Sequence, residues 1–231
     1  MSKRRHLEDQ DEKPAKLPKT LHERETDRRV IVVLEKASLE TVKVGTKFEL
    51  LNCDDHKPQL KKLGREPGEA RPDITHQCLM MLLDSPLNRA GRLQVYIHTT
   101  RNVLIEINPH TRLPRTFSRF CGLMVQLLHK LSIHASDGPH KLLKVIKNPV
   151  TDHLPTKCPR ILMSFAADEC VHPHHMVPAD SPVVFVIGAM AHGKVEIDYA
   201  TREASVSEYP LSAAIACTKV CCAAELKWGI L

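Results

Sequence analysis

The sequence predicts an α/β fold with a mainly parallel sheet, and three observations carry that expectation. Two continuous apolar runs, Val30–Leu34 and Val183–Ile187, are rich in β-branched residues and show no polar alternation. A strand reads this way when it is buried on both faces of a parallel sheet. Between them lies a one-face helical stripe, Phe120, Leu123, Met124, Leu127, Leu128 and Leu131, at i, i+3, i+4, i+7, i+8 and i+11. Strand and helix signals alternate through the rest of the chain, as packed βα units require.

The chain has 231 residues, 42% hydrophobic and 26% charged, enough to bury a substantial core in one α/β domain over 29–231. Residues 1–29 hold 9 basic and 7 acidic side chains and almost nothing apolar. Such a segment buries too little to offset its ordering entropy, so 1–28 is expected to be a disordered charged tail. Its Lys3-Arg4-Arg5 and Lys13–Lys19 stretches read as a nuclear address, a weak RNA clamp or simply a solvated face.

After the first strand, Asp73 is placed to cap a helix through Ile74, Leu79, Met80, Leu82 and Leu83, ended by Asp84-Ser85-Pro86. Leu93–Ile97 and Val103–Ile107 are strands around a short polar turn. Leu142–Ile146 and Ile161–Phe165 are expected as short strands, and Ala204–Val206 as extended. Leu211–Trp228 is expected to be helical.

Charge and cysteine usage narrow the function classes. A net charge of +6 favours an anionic partner. The 8 cysteines form no CxxC pair, and several sit in apolar runs, as buried reduced thiols do. The N-terminus has no apolar leader core, and no stretch approaches the ~18 apolar residues of a membrane span. Cys170-x-His172-x-His174-His175 lacks a second ligand pair at finger spacing, so no metal site is expected.

The sharpest local motif is Gly188-Ala-Met-Ala-His-Gly193-Lys194, directly after a buried strand. It has the GxxxxGK spacing of a phosphate loop. Val195, however, stands where magnesium binding needs a hydroxyl, and Val195–Tyr199 alternates like a strand where a phosphate loop opens a helix. Two readings stay open: a plain turn, or a cofactor loop without phosphates whose glycines admit a ligand close to the backbone. The loop Val206-Ser207-Glu208-Tyr209-Pro210-Leu211 precedes the last helix, and its Tyr-Pro pair favours extended backbone.

Four arginines form the other constellation. Arg71 precedes a helix start, with Asp73 able both to cap and to fix its side chain, while Arg112, Arg115 and Arg119 surround the start of the amphipathic helix. Arginine suits phosphates and base edges because its planar fork makes paired hydrogen bonds. The plainer alternative for each is a solvated helix flank.

From about Arg29 onward the chain resembles the Emg/Nep family of ribosome-assembly methyltransferases, in the SPOUT superfamily. The resemblance rests on Val32-Val33-Leu34-Glu35, Leu50-Leu51-Asn52-Cys53-Asp54, Arg71–Gln77, Asp84–Gly91, Thr111–Phe117, Gly188–Gly193 and Tyr209-Pro-Leu-Ser212. It implies a SPOUT-type α/β fold with a C-terminal trefoil knot, working as a homodimer. It also implies methylation of the N1 nitrogen of a pseudouridine in small-subunit ribosomal RNA, in the nucleolus of the nucleus, alongside other ribosome-assembly factors. S-adenosylmethionine would meet Met163, Gly188, Gly193, Val206, Ser207, Glu208, Tyr209, Pro210 and Leu211. RNA would meet Arg71, Arg112, Arg115 and Arg119, with Arg71 and Asp73 as the catalytic pair. Glu208 stands where the family carries Asn, and Asp168–His175 differs from the usual segment. A carboxylate facing the cofactor favours an alternative: an RNA-binding assembly factor with weak or lost activity.

Overall fold

A computed structural model describes residues 18, 20–135 and 138–231. The strands are β1 (Val30–Ala37), β2 (Thr41–Val44), β3 (Lys47–Leu50), β4 (Leu93–Thr99), β5 (Leu104–Ile107), β6 (Ser132–His134), β7 (Lys141–Ile146), β8 (Arg160–Met163), β9 (Val183–Gly188) and β10 (Arg202–Ala204). The helices are α1 (Leu21–Thr26), α2 (Lys57–Lys62), α3 (Pro72–Asp84), α4 (Pro86–Arg89), α5 (Phe117–Lys130), α6 (Pro173–Met176) and α7 (Ala213–Trp228).

Eight strands form one sheet in the order β10-β8-β9-β1-β4-β5-β7-β6, and β2 and β3 form a separate antiparallel pair. The run β10-β8-β9-β1-β4 is parallel throughout, whereas β5, β7 and β6 add antiparallel pairings at one edge. The sheet is therefore mixed, its parallel half carrying the two apolar runs. β1 lies between β9 and β4, with Val32 opposite both Phe185 and Val95. Its side chains alternate between two cores. Val30, Val32 and Leu34 join Leu79 and Leu82 of α3, Phe120 and Met124 of α5, and Val220 of α7. Ile31 and Val33 join Tyr96, Val184 and Val186 on the opposite face, where Val195 also packs.

Several sequence expectations change. The last part of the expected tail is a helix, α1, because Thr20 and Glu23 close a reciprocal capping box. The Lys3–Arg5 run and nearly all of Lys13–Lys19 lie outside the described residues. Asp73 is not a cap: Arg71 occupies that position, and Asp73 sits in the first helical turn. Val195–Tyr199 forms no strand, since it finds no ladder partner. Its alternation instead seats Val195, Ile197 and Tyr199 against the second core. The helix of the apolar stripe begins at Phe117 after the cap position Thr116, so Arg115 precedes it.

Candidate active site

The carboxyl ends of β8, β9 and β1 converge at one rim of the parallel half, where open α/β sheets bind ligands. There Met163 pairs with Ile187, and Gly188 with Glu35. Beyond this rim lies a cavity of about 610 Å³. Its walls come from three loops and two helices: the residues after β8, the glycine loop after β9, the segment after β10, and the starts of α3 and α7.

The glycine loop leaves β9 through Gly188 and is anchored at once, because the Ala189 amide donates to the Glu35 carbonyl at 2.8 Å. Gly188 has a packing reason. A Cβ there would stand 2.9 Å from Val195 Cγ2, and Val195 is buried. Gly193 has φ +99°, a left-handed value that favours glycine. Below the loop, the buried Glu35 carboxylate accepts from the Tyr199 hydroxyl at 2.7 Å and pairs with His98 Nδ1 at 2.8 Å. Burial raises the Tyr199 pKa, and the Glu35 hydrogen bond raises that of His98.

The loop before α7 is shaped by serines. Ser205 Oγ donates to the Ser207 carbonyl at 2.7 Å, and the Tyr209 amide donates to Ser207 Oγ at 3.0 Å. Ser212 caps α7 by accepting from the Ile215 amide. This turn puts Val206, Ser207, Tyr209 and Leu211 on the cavity wall. Glu208 and Pro210 are exposed and do not line it. Asp168–His175 also lies outside the wall, with Glu169 and Val171 pairing to the Ser205 backbone. Among the described residues, no group of three or more His, Cys, Asp or Glu side chains is placed to hold a metal ion.

Of the residues expected to meet a cofactor, Met163, Gly188 and Gly193 therefore line the cavity with Val206, Ser207, Tyr209 and Leu211. Sequence reasoning missed Ile74, Gln77, Phe165 and Met190. Ile74 and Gln77 follow Arg71 at i+3 and i+6, so helical spacing from the arginine was the available signal.

Arg71 stands on the same wall. Its Nε donates to Asp73 Oδ1 at 2.8 Å and its NH2 to Oδ2 at 2.7 Å. Both carboxylate oxygens are thus spent on the guanidinium, and that pairing raises the Arg71 pKa and fixes its plane. Arg112, Arg115 and Arg119 are exposed and lie outside the cavity. They belong to a segment tied to α3, since His76 of α3 bonds the Pro114 carbonyl at 2.8 Å and stacks on Phe120. Arg115 also pairs with Asp84 at the end of α3. One helix thus connects Arg71 at the cavity to the exterior arginines.

A cavity at a sheet's carboxyl rim, with a clamped arginine on its wall and further arginines outside, is the arrangement of an α/β protein with a ligand site. The comparisons with known proteins specify the class. Residues 32–225 match the model of the EMG1/NEP1 methyltransferase family, and the chain belongs to that family. It is 66% identical over 204 residues to the mouse ribosomal RNA small subunit methyltransferase NEP1, covering 88% of this chain and 84% of that protein. The human protein of the same name is 65% identical over 204 residues, with the same coverage. Among solved structures, Archaeoglobus fulgidus Nep1 bound to S-adenosylhomocysteine aligns with a TM-score of 0.74 and 28% identity, over 86% of this chain and 98% of that one. No helix of the described residues is long and apolar enough to cross a membrane.

Proposed function

We propose that the protein is an S-adenosylmethionine-dependent methyltransferase that modifies the N1 nitrogen of a pseudouridine in small-subunit ribosomal RNA. The observation that carries the reading is Arg71, locked by Asp73, on the wall of a cavity at the rim of the parallel strands. The cavity suits the cofactor. Its volume of about 610 Å³ lies within the usual range for small-ligand sites. Leu162, Ile187, Val206 and Leu211 offer apolar surface to a purine, and Ser164, Ser207 and Gln77 offer polar groups. The missing side chain at Gly188 lets Val195 pack directly against the loop that walls the cavity.

When bound, S-adenosylmethionine supplies a methyl group on a positively charged sulfur. The chain's task is then mainly alignment. The glycine loop, held to Glu35 through the Ala189 amide, and the serine-shaped turn before α7 form two walls. Arg71 is a permanent cation, and Asp73 fixes its plane by accepting two of its hydrogen bonds. A fixed guanidinium offsets the negative charge left on a pyrimidine ring as its N1 proton passes to water. The exterior Arg112, Arg115 and Arg119 contact RNA phosphates, holding the strand while one nucleotide is extruded toward the cavity.

The same reading extends to a C-terminal trefoil knot of SPOUT type, a homodimer, and work beside other ribosome-assembly factors in the nucleolus. Family membership supports each of these. Calorimetry with S-adenosylhomocysteine, paired with methyl transfer to small-subunit ribosomal RNA by wild type and Arg71→Ala, tests the core of it. Cofactor binding with transfer strongly reduced in the variant is expected. An unbound cofactor, or full activity without Arg71, contradicts the proposal.

A further inference from the structure

A second cavity, of about 510 Å³, opens beside the first and shares Arg71, Met190 and His192 with it. Any molecule in it therefore lies against a cofactor-loop wall and the clamped arginine. Its exposed wall is largely apolar, much of it from side-chain stems, and Lys36, Arg65, Arg71, Arg101, Glu66 and Glu69 supply its charges. Most of these charges are locally matched. Glu40 holds both Arg65 and Arg101, and Asp73 holds Arg71. Lys36 differs: its ammonium donates to the Lys194 carbonyl at 3.2 Å, and no carboxylate of the described residues pairs with it.

The backbone singles out the same residue. Lys36 has φ +54°, a left-handed value that a lysine rarely adopts. It sits where the pairing of β1 with β4 shifts register between Leu34 and Ala37. Irregularities of this kind re-aim a side chain, and retained backbone strain clusters at functional positions. The shift sets Lys36 on the second cavity and against the glycine loop of the first.

We infer that the second cavity takes the extruded nucleotide of the RNA substrate, and that Lys36 contacts its phosphate. The inference rests on the methyltransferase reading above and adds to it a binding residue outside the four arginines. A volume of about 510 Å³ is within the range for small-ligand sites. A largely apolar wall suits the faces of a base, and the charged groups around it suit the sugar-phosphate. Lys36 has two ammonium protons to spare for a phosphate oxygen.

The test uses Lys36→Gly, which deletes the amine while suiting the left-handed backbone, and Lys36→Arg, which restores charge. RNA affinity is measured across a salt series, with S-adenosylhomocysteine affinity and thermal melting alongside. For Lys36→Gly we expect RNA to bind roughly 3- to 10-fold more weakly, and the slope of log affinity against log salt to shrink by about 0.7–0.9, as loss of one phosphate contact requires. Lys36→Arg recovers most of both. The slope reads the phosphate contact whether or not cofactor affinity moves. An unchanged slope, or a loss confined to S-adenosylhomocysteine, overturns the inference and leaves Lys36 as a brace for Lys194. A wild type that binds RNA with the expected slope but neither binds S-adenosylhomocysteine nor transfers methyl groups refutes the enzymatic reading instead.

Discussion

Gly188→Ala probes how tightly the glycine loop is fixed to the sheet. The new Cβ stands 2.9 Å from Val195 Cγ2 and 3.6 Å from Met190 Cε, where ordinary contact begins at 3.4 Å. Met190 is a flexible side chain and yields. Val195 is only 6% exposed and packs against Ile31, Val33, Val184 and Val186, so it cannot retreat into the core without disturbing them. An overlap of this kind costs about 1–3 kcal/mol. For a chain of this size that lowers Tm by roughly 2–12 °C. Because Val195 and Met190 also wall the cofactor cavity, S-adenosylhomocysteine affinity should fall about tenfold, equivalent to ~1.4 kcal/mol. Adding Val195→Ala removes the clashing methyl. The double variant should then lose less stability than the two single losses added together, the signature of residues in contact. Scanning calorimetry and titration calorimetry on the four proteins read both quantities. Wild-type melting and affinity in Gly188→Ala, or strictly additive losses, refute the reasoning.

Three further perturbations test separate parts of the site. Asp73→Ala should cost under ~1 kcal/mol of stability, since the pair with Arg71 is partly exposed on both sides, yet lower methyl transfer by up to about 100-fold by unlocking the guanidinium. Single-turnover kinetics with unchanged S-adenosylhomocysteine affinity is the expected result. Ser212→Ala should remove the cap of α7 and lower stability by about 1 kcal/mol, visible as a shift of roughly 2–4 °C in Tm. The Glu35 hydrogen bond, then that of Asn102, raises the His98 pKa. A raised folded-state value stabilises fully below the ordinary histidine pKa of about 6.5 and is lost as pH rises through the folded value. The Tm advantage of wild type over Glu35→Gln should therefore be full below about pH 6.5 and narrow as the pH rises above it. A gap that stays constant from acid to alkaline pH contradicts the assignment.

The legible parts of the fold were those where burial is total or one-sided over several turns. β1 and β9 announced themselves because both faces are covered, and α5 because Phe120, Met124 and Leu127 all enter one core. The β2–β3 hairpin escaped notice because only Leu50 among its strand residues is buried, so Lys43, Lys47 and Glu49 erase any pattern. In α1, local chemistry outweighed composition. The Thr20-x-x-Glu23 box was readable, but a charged tail masked it. Val195–Tyr199 shows the limit of period-two reasoning, since alternation reports which side is buried and not whether a neighbouring strand exists. For the site, the resemblance located both loops before α7, whereas Lys36 and Gln77 depended on which elements fold together. The serine bonds at 205 and 207 place Ser207 and Tyr209 on the cavity wall and leave Glu208 exposed, a turn that no residue-by-residue transfer contains.

The central claim is methyl transfer to the N1 nitrogen of a pseudouridine in RNA. Two short RNA hairpins of identical sequence, one with pseudouridine and one with uridine at the acceptor position, isolate it. In uridine the N1 nitrogen is bonded to the sugar, whereas in pseudouridine it carries a free N–H. Incubated with the protein and S-adenosylmethionine, the pseudouridine hairpin should gain one methyl group on N1 and the uridine hairpin none. Equal methylation of both hairpins, or of neither while the protein binds cofactor and RNA, contradicts the account.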